Sequence, residues 1–381
     1  MKILMQSRPD AFKNFGGDTL QMVKIKEHLR KIGVKVDIDL SMYPNLKGYD
    51  LIHLFNITRV HETYLHYKNA KSYGIPIVIT PIYHSKNLLS VYYINTLSFP
   101  ARNIFKVFRY DNFQIIKILY YLTLTYDRKA INSVLPLLLT SYKNQQVEIL
   151  CGANLVIVNS ELELQFIKRE LNLNDFQYRV VLNGVSFDFE SLNLDKEHFL
   201  KKFSWLNMKD FVFYPARIEP LKNQVNFIMA LMNEDFPLVF AGKLSQKHPA
   251  YCRKFLKLLK KRKNTFWIGE LTHREMFATY SMAKVVALAS WFETAGLVGL
   301  EGGLMGCNVV MTTRGYTKEY FQEYVWYCEP DDFTSIRNAV LSAYSCPRDF
   351  KRFSYFIKQR NLTWENTAKS IFKIYKEVLS I

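Results

Sequence analysis

A chain of 381 residues, 49% of them hydrophobic, is long enough for two or three domains with full cores. Its 51 Lys+Arg against 34 Asp+Glu leave a net charge of +17, which favours polyanions: nucleic acid, an acidic membrane surface or phosphorylated substrates. The five cysteines, at 151, 252, 307, 328 and 346, form no C-x-x-C pair, which argues against a zinc site and a disulfide framework and fits a reducing cytosol.

The opening Met1-Lys-Ile-Leu-Met-Gln-Ser is interrupted by Arg8-Pro-Asp too early for a signal peptide. No apolar run reaches the roughly 20 residues that span a bilayer. The Asn-x-Thr triplets at Asn56 and Asn361 are therefore given no secretory meaning.

Lys2 to Met5 reads as a first strand, followed by a polar loop ending in Gly16-Gly17. Asp18 is expected to cap a helix whose apolar stripe is Met22, Ile25, Leu29 and Ile32, with Gly33 as its stop and Val34 to Ile38 as a second strand. Strand, glycine loop and helix make a possible anion cradle, because glycine lets a ligand approach backbone N–H groups; a plain loop has the same sequence. Leu51 to Phe55 and Ile75 to Thr80 are further buried strands, separated by a helical stretch around Thr63 to Tyr73. His84 lies just beyond the second of them, a position open to a structural or a functional role.

From Lys86 to Lys143 the character changes. The bases Lys86, Arg102, Lys106, Arg109, Lys117, Arg128, Lys129 and Lys143 meet only Asp111 and Asp127, and aromatics are interleaved, among them Tyr92, Tyr93, Phe99, Phe105, Phe108, Tyr110, Phe113, Tyr120, Tyr121 and Tyr126. Basic, aromatic, amphipathic helices suit an anionic membrane surface. The same composition fits a helical layer with aromatics in the core and bases in solvent.

Leu155 to Val158 returns to strand, and Ser160 caps a helix from Glu161 to Leu171. The polar stretch Ser186 to Lys202 reads as a linker and leading helix. A regular alternation follows: strand Phe211 to Tyr214, a helix to Met232, strand Leu238 to Ala241, the basic helix Tyr251 to Lys263, strand Thr265 to Ile268, and a short helix from Arg274 to Met282. Then come strand Val285 to Ala289, a glycine-containing turn, a helix, strand Val309 to Met311, and a last strand, Val325 to Cys328. This is the repeating unit of a parallel sheet. Thr363 is placed to cap a final helix with Trp364, Ala368, Ile371, Tyr375 and Val378 on one face.

Two carboxylates, Glu293 and Glu301, bracket the glycine turn with seven residues between them. Glu293 falls just beyond a strand end, where open parallel sheets place ligands, and Glu301 lies in the first turns of the next helix. Hydroxyl acceptors beside an anion site suit a sugar joined to a phosphate; an exposed loop acid and a helix-start acid would look alike. Arg217 and Lys222, five apart, straddle Pro220 just after another strand and make a suitable pair for two neighbouring phosphates.

Phe292-Glu293-x-x-Gly296-Leu297 with Glu301 resembles the E-x7-E signature of retaining nucleotide-sugar glycosyltransferases of family 4, and Arg217 with Lys222 resembles their R-x4-K diphosphate pair. Val180-Val-Leu-Asn-Gly-Val185 is similar to the family's I-P-N-G-V junction, with Leu182 in place of proline. Ala216 stands where glycine is usual and Ala295 where a large aromatic is common.

The resemblance implies a GT-B architecture: two Rossmann-like doubly wound α/β domains facing a cleft, residues 1–185 for the acceptor with a basic, aromatic insertion at about 86–143, residues 186–362 for the donor, and a helix from 363–381 crossing back. It implies that Arg217 and Lys222 hold the donor diphosphate, Glu293 and the backbone of Ala295, Gly296 and Leu297 meet the donor sugar, and Glu301 takes the ribose. His84 becomes an active-site histidine, and Gly16 and Gly17 a loop near phosphates and acceptor. No cofactor or metal is implied, and no D-x-D triplet that would hold a metal is recognised. The expected partners are a nucleotide-sugar, a glycan or a polyprenyl- or lipid-linked acceptor, and an anionic membrane surface on the cytoplasmic side, in surface polysaccharide or glycolipid assembly.

Other classes fit the residues less well. A glycoside hydrolase also uses two carboxylates, but Arg217 and Lys222 point to a phosphate-bearing donor. A basic nucleic-acid-binding protein would fit the charge, yet no zinc finger, RNP or KH motif is present. A membrane-bound scaffold with a decayed site would not need all four of Arg217, Lys222, Glu293 and Glu301.

Overall fold

The computed structural model describes residues 1–125, 140–186 and 210–380, with the backbone alone at 121–125. The expected linker and leading helix beyond Ser186, together with Tyr126, Asp127, Arg128 and Lys129, lie outside the described residues. The chain forms two compact units, Met1–Asn183 with Trp364–Ile381, and Gly184–Thr363.

The first unit is built on strands β1 (Lys2–Gln6), β2 (Lys35–Ile38), β3 (Leu51–Phe55), β4 (Ile77–Thr80), β5 (Leu155–Val158) and β6 (Tyr178–Val180). They pair in parallel in the order β2-β1-β3-β4-β5-β6. β3, β4 and β5 are buried at every residue, which is why they read as unbroken apolar runs. Helices α1 (Gly17–Lys31), α2 (Val60–Ser72), α3 (Lys86–Thr96), α4 (Ala101–Thr125, broken at Arg109), α5 (Tyr142–Gly152) and α6 (Glu161–Leu171) follow in chain order.

The terminal helix, Trp364–Leu379, also belongs to this unit. Its Tyr375 hydroxyl bonds Nδ1 of His53 on β3 at 2.6 Å, and Nε2 of that ring meets the Thr80 hydroxyl at 2.8 Å. Complete burial pushes the His53 imidazole down to about 3, so the ring is neutral.

Asp18 does not cap α1. Gly16 occupies the N-cap in extended backbone, and no side chain bonds there. The Asp18 carboxylate is turned to the Arg8 guanidinium at 2.8 Å and the Asn56 amide at 3.1 Å. Ile32 is 36% exposed and leaves the stripe that buries Met22, Ile25 and Leu29.

The basic, aromatic stretch divides between its two readings. Tyr92, Tyr93, Phe105 and Phe113 are buried, and Lys86 is buried against Asp111 at 2.6 Å. Phe99, Ile104, Val107, Phe108 and Tyr120 are exposed.

The second unit carries β7 (Val212–Pro215), β8 (Leu238–Ala241), β9 (Thr265–Trp267), β10 (Val285–Leu288), β11 (Asn308–Thr312) and β12 (Trp326–Cys328), parallel in the order β12-β11-β10-β7-β8-β9. The chain builds outward from β7 to β9, then returns to β7's other side with β10. The switch in direction therefore falls between β7 and β10, and the loops after those two strands open at the carboxyl edge where such sheets bind ligands.

Three arginines whose donors meet main-chain carbonyls close this unit, Arg262 buried and Arg348 and Arg360 half-buried. Arg262 donates to the carbonyls of Leu231, Glu234, Phe236, Lys263 and Asn264 and to the Thr265 hydroxyl, with no carboxylate in the set. Burial brings its guanidinium down to about 10. Arg348 donates to the carbonyls of Tyr280, Ser281, Met305 and Gly306. Arg360 donates to those of Glu319 and Tyr320.

Candidate active site

The loop after β7 contains a single tight turn, Pro220–Lys222, with proline at its start and Asn223 in the left-handed region at its end. Four hydrogen bonds pin that turn. The Tyr214 hydroxyl donates to the Lys222 carbonyl at 2.5 Å, the Trp291 N–H donates to the Leu221 carbonyl at 2.9 Å, and the buried Asn223 amide donates to the carbonyls of Ala289 (2.9 Å) and Pro330 (2.7 Å). One asparagine thus ties the loops after β7, β10 and β12 together. Its role was invisible in the sequence, where it is one polar residue among several.

The loop after β10 presents Glu293, a carboxylate only 9% exposed. Lys222 Nζ lies 2.6 Å from its Oε1. Two residues chosen from separate sequence patterns therefore form one contact at the switch point. The backbone of Glu293 is held as well: its N–H donates to the Arg314 carbonyl at 3.1 Å, and its carbonyl accepts from the Tyr316 N–H at 3.0 Å. Gly315, between those partners, has a φ of +109°, and a Cβ there would fall 1.9 Å from the Glu293 carbonyl oxygen. Only glycine lets the two backbones approach so closely. Arg314 is fixed in turn by Glu329 at 3.0 Å and Asp331 at 3.0 Å.

Arg217 sits on the same loop as Lys222, about one-third exposed, with Nη1 3.5 Å from Glu219 Oε2; its carbonyl accepts from the Gln224 amide at 2.8 Å. Two acids, Glu219 and Glu293, therefore stand beside the two cations. Glu219 was passed over in the sequence because it lacks the spacing of a motif.

The helix after Glu293, α10 in chain order (Leu297–Leu304, after α7 Gln224–Ala230, α8 Pro249–Lys261 and α9 His273–Met282), starts from Gly296 at φ +60° without a side-chain cap. Ala295 is buried beneath that start. Two glycines of α10 are pressed on the sheet: a Cβ at Gly299 would meet Met311 at 2.8 Å, and one at Gly302 would meet Val286 at 2.7 Å. Glu301, half-buried on this helix, accepts from the Tyr280 hydroxyl of α9 at 3.2 Å. Tyr280 is fully buried, and burial, reinforced by the Glu301 charge, holds its hydroxyl protonated well above the usual phenol range. Reading the sequence did not find this partner, since an i–21 contact leaves no local signal.

His84, Gly16 and Gly17 belong to the first unit. His84 is half-buried beyond β4, in a turn clamped from α6. Glu163 accepts from the Tyr83 N–H, while Glu170 accepts from the Tyr83 hydroxyl (2.9 Å), the Ser85 hydroxyl (2.6 Å) and the Lys86 N–H (2.6 Å). Gly17 opens α1 with free space where a Cβ would stand. A D-x-D triplet does occur, Asp37-Ile38-Asp39 at the end of β2, contrary to the sequence reading. Its acids are engaged by neighbours: Asp37 accepts from the Tyr49 hydroxyl at 3.0 Å, and Asp39 from the Ser41 hydroxyl at 2.6 Å.

Comparison with known proteins places residues 195–360 under the family model "Glycosyl transferases group 1". No curated protein sequence matches the chain. The fold is similar to sucrose-phosphate synthase of Thermosynechococcus elongatus, with a TM-score of 0.74 at 16% identity over 100% of both chains. It is similar to HepE of Anabaena in complex with UDP-glucose, with a TM-score of 0.68 at 16% identity over 99% of this chain and 100% of that one. An α,α-trehalose-phosphate synthase of Burkholderia xenovorans in complex with glucose-6-phosphate aligns with a TM-score of 0.67 at 11% identity, over 99% and 100%. The two-domain α/β architecture with two six-stranded parallel sheets is that of these GT-B glycosyltransferases.

Proposed function

We propose that the protein is a retaining glycosyltransferase that moves a sugar from a nucleotide-sugar to a glycan or lipid-linked acceptor, in the assembly of surface polysaccharide or glycolipid. The observation that carries the reading is the contact of Lys222 with Glu293 at the β7/β10 switch point, where the family model also matches. HepE was captured with UDP-glucose, which favours a uridine diphosphate-sugar as the first donor to try.

In this reading Arg217 and Lys222 take the donor diphosphate and stabilise the charge that grows on it as the glycosidic bond breaks. Cations already held in place do this without reorganisation at the moment of reaction. The backbone start of α10 adds positive potential. Lys222 then stands between phosphate and Glu293, and Glu293 lies beside the donor sugar. Glu301, oriented by Tyr280, takes the ribose hydroxyls. His84 and the Gly16-Gly17 loop serve the sugar and acceptor from the first domain.

Titration with UDP-sugars, followed by donor hydrolysis and transfer, tests the reading. Lys222→Ala is expected to lower turnover by about two to three orders of magnitude, the effect of removing about 2.7–4 kcal/mol of transition-state stabilisation. Normal turnover in that variant, or tight binding of oligonucleotides with no response to any nucleotide-sugar, would overturn it.

A further inference from the structure

We propose that the outer flank of α4, with the turn that precedes it, is a docking surface for an anionic lipid bilayer. The segment from Lys86 to Tyr110 contains no acidic residue. The first acid after it, Asp111, is bonded to the buried Lys86. The inner flank of the helix is fully used: Phe105 and Phe113 pack on Tyr93 with ring centroids 5.1 and 5.2 Å apart. The outer flank is not used. Phe99 is 80% exposed, Val107 74%, Phe108 46% and Ile104 37%.

At about 100° per residue, Ile104, Val107 and Phe108 share one side of the helix next to the buried Phe105, while Arg102 and Lys106 occupy the opposite side. Arg109, at φ +56°, breaks the helix directly after Phe108 and adds a third exposed base. An aromatic and aliphatic face with bases on the other side of the helix and at its end is the composition that inserts shallowly among lipid headgroups. A purely ionic partner such as nucleic acid would engage Arg102, Lys106 and Arg109 and leave four large apolar side chains in water. A bilayer surface engages both. No helix among the described residues is long and apolar enough to cross a membrane, so the contact is with the surface.

Sedimentation of the full chain with vesicles tests this, using mixed phosphatidylglycerol and phosphatidylcholine against phosphatidylcholine alone. Binding is expected on the anionic vesicles and to weaken with salt. The double variant R102A/K106A is expected to bind them about 25-fold more weakly at low salt, roughly fivefold for each base. V107S/F108S, which keeps every charge, is expected to lose tenfold or more at all salt concentrations. Val107 and Lys106 are exposed, Phe108 is 46% exposed and Arg102 has one bond to lose, to the Leu97 carbonyl at 2.8 Å, so both variants should stay folded and melt within a few degrees of the parent. The proposal is overturned if the chain ignores anionic vesicles at low salt, or if both double variants bind them like the parent. It is also overturned if Arg102 and Lys106 govern binding to an oligonucleotide while Val107 and Phe108 affect nothing. Sedimentation reads no transfer, so its failure and failure of the proposed activity are separate results.

Discussion

Gly315→Ala is the sharpest probe of how the site is held. The added methyl would fall 1.9 Å from the Glu293 carbonyl oxygen and 2.9 Å from its nitrogen. Ordinary contact is about 3.5 Å, so one backbone must move by roughly 1.5 Å. Placing alanine at φ +109° costs about 1–2 kcal/mol. Losing the two hydrogen bonds that hold Glu293 to Arg314 and Tyr316 adds about 1 kcal/mol each. A total near 3–4 kcal/mol should lower the Tm of the second unit by roughly 6–15 °C. If Glu293 serves the donor sugar, a shift of that size should also cost about 10²-fold in kcat/KM. Gly296→Ala is the comparison for stability alone: alanine at φ +60° costs about 1 kcal/mol and its methyl meets the flexible end of Met311 at 2.5 Å and the Phe321 ring at 3.1 Å, with no backbone in the way, so its loss of Tm should be smaller. Thermal unfolding of both variants and steady-state transfer by Gly315→Ala decide the matter. Parent-like stability in Gly315→Ala refutes the packing argument, and lost stability with parent-like kcat/KM refutes a role for Glu293.

Glu301→Ala should weaken binding of the free nucleoside diphosphate tenfold or more, as loss of a charged hydrogen bond of about 1.5–3 kcal/mol, whereas Glu293→Ala should spare that affinity and lower transfer; equal losses in calorimetric titration would refute the division of roles. Arg262→Met should destabilise the second unit by about 3–5 kcal/mol, because the carbonyls it serves are left buried without a donor, and a denaturant midpoint like the parent's would refute it. Burial pushes the Glu62 carboxyl up to about 7 against the pull of Arg59. The folded state then holds a proton that the unfolded chain releases, so this contribution to stability is complete below about pH 4.5 and is lost as pH rises through 7, on the order of 3 kcal/mol. Glu62→Gln should flatten that part of the stability–pH curve; an unchanged slope would refute the assignment.

The strands were legible because β3, β4, β5, β7, β8 and β10 are buried on both faces and so read as short apolar runs between turn residues. Gly33 could be read as a helix stop because its backbone lies in the left-handed region, at φ +86°. What the sequence hid are contacts over long separations: Lys222 to Glu293, Asn223 to Pro330, Tyr280 to Glu301. Asp18 misled because a helix-start acid has two uses, and here a tertiary arginine took it. The stretch from 86 to 143 left two readings open because, among its described residues, buried aromatics (Tyr92, Tyr93, Phe105, Phe113) are interleaved with exposed ones (Phe99, Phe108, Tyr120).

The arginines that serve main-chain carbonyls bear on how the molecule is seen from a distance. A net charge of +17 invites the picture of a uniform positive field drawing in any polyanion. Arg262 is buried with its donors on main-chain oxygens, and half-buried Arg348 and Arg360 also turn donors onto carbonyls, so these guanidinium groups are less presented to an approaching ligand than the exposed bases. The field that steers encounter is set by bases left on the outside, such as Arg102, Lys106 and the row Arg253, Lys254, Lys257, Lys260 and Lys261 along α8. Replacing an inward arginine by lysine would keep the formal charge and the isoelectric point, yet it would remove the planar fork that serves several carbonyls at once. The damage would show in melting, and ionic-strength dependence of binding would hardly register it.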